Sequence, residues 1–152
     1  MIFVMTKEMT THSAEETQRS AKEFLAHLSD AQPLCLFGEL GSGKTTFAQG
    51  LLGALGAEKP YASPTFTIVR TYDVDTCLGT HPIRTVHHID AYRITADDLS
   101  QIGWEDMIAD PHALVILEWP ERIENALPSR YHKISFVAGD GDERRITVAA
   151  NS

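Results

Sequence analysis

The sequence contains no long apolar run and comparatively little positive charge. No stretch reaches the roughly 18 consecutive apolar residues that a transmembrane helix needs, so we expect no membrane span. Residues 1–9 lack the basic leader and long apolar core of a signal peptide. Lysine and arginine number 13 against 21 aspartates and glutamates, which gives a formal net charge of −8. Because an acidic surface repels phosphate backbones, we do not expect the chain to bind nucleic acid tightly without a partner.

Cysteine is also scarce. The two cysteines, Cys35 and Cys77, lie far apart, and no Cys-x-x-Cys pair is present. Cys35 stands inside an apolar run and is predicted to be a small core residue. This cysteine usage is typical of a reducing compartment, so we expect a cytoplasmic protein.

The composition that remains is typical of a folded domain. Hydrophobic residues make up 43% of the 152 residues and charged residues 22%, which predicts one domain spanning residues 1–152. Helical patterns stand between strand patterns, and Gly-Asp-Gly-Asp at 139–142 marks a closing hairpin. We therefore predict an α/β fold with a mixed parallel and antiparallel sheet, flanked by helices and ending in a β-hairpin.

Hydrophobic periodicity predicts where the elements lie. Ser13 and Glu16 form a capping-box pattern at the start of the first helix. Gly103 weakens the pattern of the third helix, and residues 73–82 are predicted to be a loop or a hairpin connection. The predicted helices are 13 to about 29, 47–55 and 95–108, and the predicted strands are 2–5, 34–37, 65–72, 83–89, 113–117, 134–137 and 146–149.

The stretch from Gly38 to Thr45, GELGSGKT, matches the pattern of a phosphate-binding loop. Glycines let backbone N–H groups approach phosphate oxygens without a clash from a Cβ atom. Lys44 supplies a cation for the β- and γ-phosphates, and the hydroxyl of Thr45 supplies a ligand for Mg²⁺. The predicted helix after the loop points its positive end at the same phosphates. The sequence therefore predicts a nucleoside triphosphate site, but the loop alone does not identify the reaction.

Two acids could provide a second Mg²⁺ ligand. Glu118 ends the apolar run at 114–117, and Asp90 ends a more polar predicted strand. Trp119 beside Glu118 is interpreted as a core residue. His87, His88 and Asp90 could suggest a metal site, but no further histidine or cysteine cluster supports it, so a structural or switch role is favoured.

Other phosphate-loop proteins offer two alternative functions. A small-molecule kinase usually has a lid with arginines over the phosphates, and the sequence after Lys44 has few arginines and no insertion large enough for a lid. A regulatory GTPase is disfavoured because the chain has no Asn-Lys-x-Asp to select guanine and no Asp-x-x-Gly after the loop. We therefore expect adenine to be preferred over guanine.

Four sequence blocks together resemble the TsaE (YjeE) family of small bacterial P-loop ATPases of tRNA threonylcarbamoyladenosine biosynthesis. The blocks are 38–56, SPTFTIV at 63–69, HIDAYR at 88–93 and LEWPE at 117–121. The resemblance implies a mixed-sheet P-loop NTPase fold that binds ATP and ADP with Mg²⁺. It also implies hydrolysis that is weak in the isolated chain and coupled to TsaD- and TsaB-like partners, which would hold the tRNA. By itself the chain is expected to be a monomer.

The same resemblance implies roles for individual residues. Thr45 and Glu118 would hold Mg²⁺. Asp90, Lys44 and Thr65 would serve hydrolysis, with Thr65 in a switch-like segment near the γ-phosphate. Ser13, at the start of the first helix, matches a family contact to the nucleotide. The residues implied in nucleotide binding are Ser13, Glu39, Leu40, Gly41, Ser42, Gly43, Lys44, Thr45 and Thr46.

Overall fold

The computed structural model describes residues 6–61 and 68–151, and its centre is one mixed β-sheet. The strand order in the described residues is β1-β7-β6-β2-β5-β4-β3. The four strands β6, β2, β5 and β4 run parallel, and β3, β7 and β1 pair antiparallel at the two sides. The strands are β1 Lys7–Thr11, β2 Leu34–Gly38, β3 Val69–Leu78, β4 His81–Asp90, β5 Ala113–Glu118, β6 Tyr131–Ala138 and β7 Arg144–Asn151.

Three α-helices and three short 3-10 helices accompany the sheet in the described residues. The α-helices are α1 Ala14–Ala26, α2 Lys44–Ala54 and α3 Trp104–Ala109. The 3-10 helices are Ala96–Ile102, Pro120–Arg122 and Glu124–Ala126. The α/β class, the mixed sheet and the closing hairpin of β6 and β7 are thus confirmed. Of these helices, none has the length and apolar character that crossing a membrane requires.

Apolar side chains cover both faces of the sheet. Leu34 and Leu36 of β2 belong to one buried cluster, which includes Phe47 and Leu51 of α2. Cys35, between them, belongs to a second cluster with residues of β5 and the 89–127 region. Because successive strand residues point to opposite faces, the two clusters lie on opposite sides of the sheet. Cys35 is fully buried, as predicted, and burial raises the pKa of its thiol to about 12.

Helix α1 begins as the sequence predicted and ends three residues earlier. The Ser13 side chain accepts a hydrogen bond of 3.1 Å from the Glu16 backbone N–H, which satisfies one free donor of the first turn. The helix ends at Ala26 rather than near Ser29. Asp30 accepts the backbone N–H of Gln32, and this local turn competes with further helix.

Residues 73–82 are part of a long hairpin rather than a loop. Strands β3 and β4 pair from Val69↔Ile89 to Leu78↔His81, so the connection is reduced to Gly79 and Thr80. A register shift lies between Asp73 and Thr76. Buried and exposed residues still alternate from Tyr72 to Leu78, but Asp73, Asp75 and Gly79 are residue types that strands disfavour, so the composition of this segment also suited a loop.

Gly103 divides the third predicted helix. Its φ of 82° is left-handed, so a 3-10 helix ends before it and α3 begins after it. Thr95 caps the first piece, with its backbone N–H bonded to Asp98 at 2.9 Å.

Two predictions fall outside the described residues. They are the strand predicted at 2–5 and the first part, residues 65–67, of the strand predicted at 65–72, which includes Thr65.

Substitution by alanine at two glycines of α2 is expected to have opposite effects on stability. A Cβ atom at Gly50 would lie 2.7 Å from the Cα and carbonyl oxygen of Gln18 and 2.9 Å from the Cβ of Ala21, so Gly50 allows α1 and α2 to touch. At Gly53 the nearest atom would be the Tyr61 hydroxyl at 3.7 Å, an ordinary contact. We expect Gly50→Ala to lower the free energy of unfolding by about 1–3 kcal/mol through overpacking. Gly53→Ala should raise it by roughly 0.5–1 kcal/mol, because alanine is the better helix former.

Urea unfolding of both variants beside the unmodified protein measures this difference. The two substitutions are chemically identical and lie on the same helix, so each serves as the control for the other. A Gly50→Ala variant as stable as Gly53→Ala would show that α1 and α2 do not approach as closely as described.

Candidate nucleotide-binding site

A cavity of about 280 Å³ lies at the carboxyl ends of β2, β4 and β5. Parallel strands place their carboxyl ends at one edge of the sheet, where loops of different origin meet. The first turn of α1, the loop before α2 and the β6–β7 hairpin complete the wall. The lining residues are Ser13, Ala14, Thr17, Leu40, Gly41, Ser42, Gly43, Lys44, Thr45, Thr46, Asp90, Glu118, Trp119, Asp142 and Arg144.

The loop between β2 and α2 depends on glycine at its two ends. Gly38 has a φ of 151°, and a Cβ atom there would lie 2.7 Å from both the Phe136 carbonyl oxygen and the Ser42 Oγ. Gly43 caps α2 with a φ of 107°, a left-handed conformation that side chains disfavour. Ser42 is buried, and its Oγ has no hydrogen-bond partner among the described residues. A loop with positive-φ glycines, an unpaired buried hydroxyl and a helix start fits an anion such as phosphate.

Lys44 is the first residue of α2, its side chain reaches back into this loop, and it is 5% exposed. Its Nζ donates to the carbonyl oxygens of Gly38 and, at 3.2 Å, of Glu39. Burial lowers the pKa of Lys44, and the nearby acids Glu121, Glu118, Asp90 and Glu39 act in the opposite direction. The loop therefore holds a desolvated cation beside the cavity.

Trp119 contributes a contact that the sequence did not predict. The Lys44 Nζ lies 3.6 Å from the centroid of the Trp119 ring, within the range of a cation–π interaction. Trp119 packs partly against the second core cluster, as a core interpretation requires, but it also lines the cavity. Its φ of 61° turns the chain directly after Glu118.

Thr45 and Glu118 are brought into contact by the ends of α2 and β5. The Thr45 hydroxyl donates to Glu118 Oε1 at 2.8 Å, and Glu118 is 2% exposed. His88 Nε2 lies 2.6 Å from the other carboxylate oxygen, Oε2. A hydroxyl and a carboxylate side by side form the hard oxygen set that Mg²⁺ prefers, so these residues fit the ion that the sequence implies.

Asp90 lies next to Glu118 because β4 and β5 pair in register at these two residues. It is 8% exposed, and its Oδ1 accepts the backbone N–H of Tyr92 at 2.9 Å. The Asp90 backbone N–H donates to the carbonyl oxygen of Ile68, the first described residue after the segment that contains Thr65. The structure thus brings both candidate acids to one cavity.

Of the other residues predicted to bind the nucleotide, most line the cavity and Glu39 does not. Ser13 lines the cavity through the first turn of α1, and its Oγ also accepts the capping hydrogen bond from Glu16. Leu40, 88% exposed, lies at the rim of the cavity with Gly41. Glu39 is not among the lining residues, although its carbonyl oxygen binds Lys44.

Arg144 and Asp142 of the β6–β7 hairpin were missed by sequence reasoning. Arg144 Nη1 donates to the carbonyl oxygens of Gly141 and Glu143, each at 2.8 Å, and its aliphatic stem lies beside Gly43. The signal that could have placed Arg144 and Asp142 at the cavity was their position in or next to the turn after β6. Because β6 runs parallel to β2, the turn after β6 must lie at the same edge as the turn after β2.

The chain is similar to known proteins over most of its length. The family model described as "Threonylcarbamoyl adenosine biosynthesis protein TsaE" matches residues 11–146. The tRNA threonylcarbamoyladenosine biosynthesis protein TsaE of Bacillus subtilis is 34% identical over 92% of this chain and 83% of its own length. The Treponema pallidum protein of the same description is 35% identical over 91% of this chain and 97% of its own length. The crystal structure of Bacillus subtilis YdiB matches with a TM-score of 0.78 and 28% identity, covering all of this chain and 90% of that one.

Lys44→Ala tests the loop assignment. We expect the affinity for Mg-ATP to fall about ten- to a hundredfold, because a charge-assisted contact is worth about 1.5–3 kcal/mol. Calorimetric titration of the folded variant measures the change. Lys22→Ala is the matched control, since Lys22 is an exposed lysine of α1 that does not line the cavity. Equal affinities of the two variants would contradict the assignment.

Proposed function

The chain belongs to the TsaE family of threonylcarbamoyl adenosine biosynthesis proteins, and we propose that it is the Mg-ATP-binding ATPase of that process, acting on tRNA through TsaD- and TsaB-like partners. The observation that carries this proposal is the convergence at one cavity of a buried lysine in a glycine-bounded loop with a bonded threonine–carboxylate pair. These are the groups that phosphoryl transfer requires.

ATP binding is proposed from the loop. Its backbone N–H groups and the start of α2 would face the phosphates, because both surround the same cavity. The Lys44 ammonium, now bonded to the loop's carbonyls, would take phosphate oxygens as partners. Exchange of neutral carbonyl partners for anionic ones would strengthen each hydrogen bond and would favour the charged form of Lys44.

Metal binding is proposed from Thr45 and Glu118. When bound there, Mg²⁺ would draw charge from the phosphate oxygens and so ease the departure of the terminal phosphate. The Thr45 hydroxyl now donates to Glu118 and would turn its oxygen lone pair to the ion. The carboxylate of Glu118, buried at the end of β5, would supply the negative charge that keeps the ion in place.

Asp90 is proposed to serve hydrolysis. Its Oδ1 is fixed by the Tyr92 N–H, and it lines the cavity beside Glu118. A carboxylate in this position could orient a water molecule and accept its proton as the water attacks the terminal phosphate. Thr65 is proposed to contact the terminal phosphate from the segment that precedes Ile68.

Dependence on partners is proposed from the charges and surface around the cavity. Arg144 lines the cavity, but its Nη1 is bonded to two carbonyl oxygens of its own hairpin. Arg122 lies over the Tyr92 ring, with its Cζ 4.7 Å from the centroid. Leu40 and Tyr92, exposed by 88% and 43%, offer apolar surface near the cavity to a partner. A partner's arginine at the phosphates would raise turnover by about 10³–10⁵-fold.

Glu118→Gln and Asp90→Asn separate the two proposed acidic roles. Glu118→Gln should remove the gain in ATP affinity that Mg²⁺ provides, because the carboxylate charge is lost while the side-chain volume stays. Asp90→Asn should keep that gain and lose hydrolysis. Nucleotide titrations in Mg²⁺ and in EDTA, followed by ATPase assays, measure both effects. The reverse result, with metal dependence lost in Asp90→Asn alone, would exchange the two assignments.

Steady-state ATPase activity tests the proposed function as a whole. We expect the isolated protein to turn over far below the roughly 10 s⁻¹ of an ordinary enzyme. Addition of its TsaD- and TsaB-like partners should raise that rate. Lys44→Ala mixed with the same partners is the control for contaminating hydrolysis. A rate near 10 s⁻¹ in isolation that partners leave unchanged would overturn the dependence on partners.

A further inference from the structure

His88 is a buried polar residue to which the proposed function gives no task. It lies on β4, two residues before Asp90, and is 1% exposed. Its Nε2 is 2.6 Å from Glu118 Oε2, whereas its Nδ1 has no hydrogen-bond partner among the described residues. An unpaired polar atom in the interior is unfavourable, so a buried imidazole needs a specific reason to occupy this position.

The contact with Glu118 determines which nitrogen carries the proton. A carboxylate accepts hydrogen bonds and donates none, so we assign the Nε2 of His88 as the donor to Glu118. In the neutral ring, Nδ1 is then an unprotonated acceptor. The hydrogen bond of His88 is therefore directed to Glu118 alone within the described part of the chain.

The consequence for Glu118 is a fixed carboxylate plane. One oxygen accepts from Thr45 on α2, and the other accepts from His88 on β4. Hydrogen-bond donors from two different elements restrict the terminal side-chain torsion of Glu118, an angle that is otherwise broadly distributed in glutamate. Glu118 itself is anchored on β5, between these elements.

We infer that His88 is a positioning residue that holds Glu118 with Oε1 toward Thr45 and thereby prepares the metal site. This inference rests on the proposed function, because it gives His88 a task in Mg²⁺-dependent nucleotide binding. Hydrogen-bonding partners behind a ligand contribute about 10- to 100-fold to metal affinity. Loss of His88 would let the carboxylate rotate while the phosphate loop stays intact.

The chain offers a matched set of variants for the experiment. In His88→Gln the amide nitrogen lies the same number of bonds from Cα as Nε2, so the donor to Glu118 can be kept. In His88→Asn the amide nitrogen falls short and corresponds to Nδ1. His87→Asn is the control, because His87 points to the other face of β4 and its ring is bonded to Thr71 at 2.9 Å. ADP affinity is measured in excess Mg²⁺ and in EDTA, and the ratio of the two is the readout.

We expect the ratio to fall about 10- to 100-fold in His88→Asn, to stay near the wild-type value in His87→Asn, and to recover largely in His88→Gln. The affinity in EDTA should change less than about threefold in all three, since the loop is not altered. An unchanged ratio in His88→Asn, or an equal loss of affinity in EDTA and in Mg²⁺, would overturn the inference. Wild-type protein that binds no ADP would overturn the proposed function instead, and wild-type binding without a metal effect would remove the proposed metal site.

A measurement on the wild-type protein covers the case in which His88→Asn does not fold. Long-range ¹H–¹⁵N NMR correlations distinguish the two tautomers of a histidine ring. We expect His88 to carry its proton on Nε2, and the resonance of that proton to move in Glu118→Gln. A ring protonated on Nδ1 alone would overturn the inference.

Discussion

The burial of one ammonium group governs the arrangement of the site. A charge removed from water is strongly unfavourable unless nearby groups compensate it. Lys44 is 5% exposed, and its compensation comes from two loop carbonyls, the face of Trp119 and surrounding acids. These groups belong to segments far apart in the sequence. The loop, the end of β5 and the end of β4 therefore all contribute to the compensation of one buried cation.

The acids around Lys44 are compensated in turn. Glu118 is nearly as buried as Lys44, and it is held by Thr45 and His88 rather than by the lysine. Asp90 takes the Tyr92 N–H. Separate partners for each charge leave the lysine bonded to backbone carbonyls, which are weaker partners than a phosphate. A phosphate would therefore be a stronger partner for Lys44 than the carbonyl oxygens that it contacts in this structure.

The sequence predicted those parts of the site that follow from local chemistry. The loop around Lys44 depends on glycines and a helix start that are adjacent in the chain, and Glu118 directly follows a run of apolar residues. Trp119 and Arg144 were not predictable in this way, because their contacts with the loop depend on which strands are neighbours. The sequence favoured a structural or switch role for His87 and His88 over a metal site, but the contact of His88 with Glu118 depends on the register of β4 with β5. At 73–82 the aspartates and Gly79 suited a loop as well as a hairpin, and the predicted long helix was divided by one left-handed glycine, Gly103.

The pairing of β1 with β7 has a consequence for how the protein is made. Thr11 pairs with Arg144, and the cavity residues Ser13 and Asp142 stand just beyond these partners. The wall of the cavity therefore joins segments separated by more than a hundred positions of sequence, and such distant pairings form late in folding. During synthesis the phosphate loop leaves the ribosome long before β7 does. The complete pocket therefore arises only once β7 has been translated and has paired with β1.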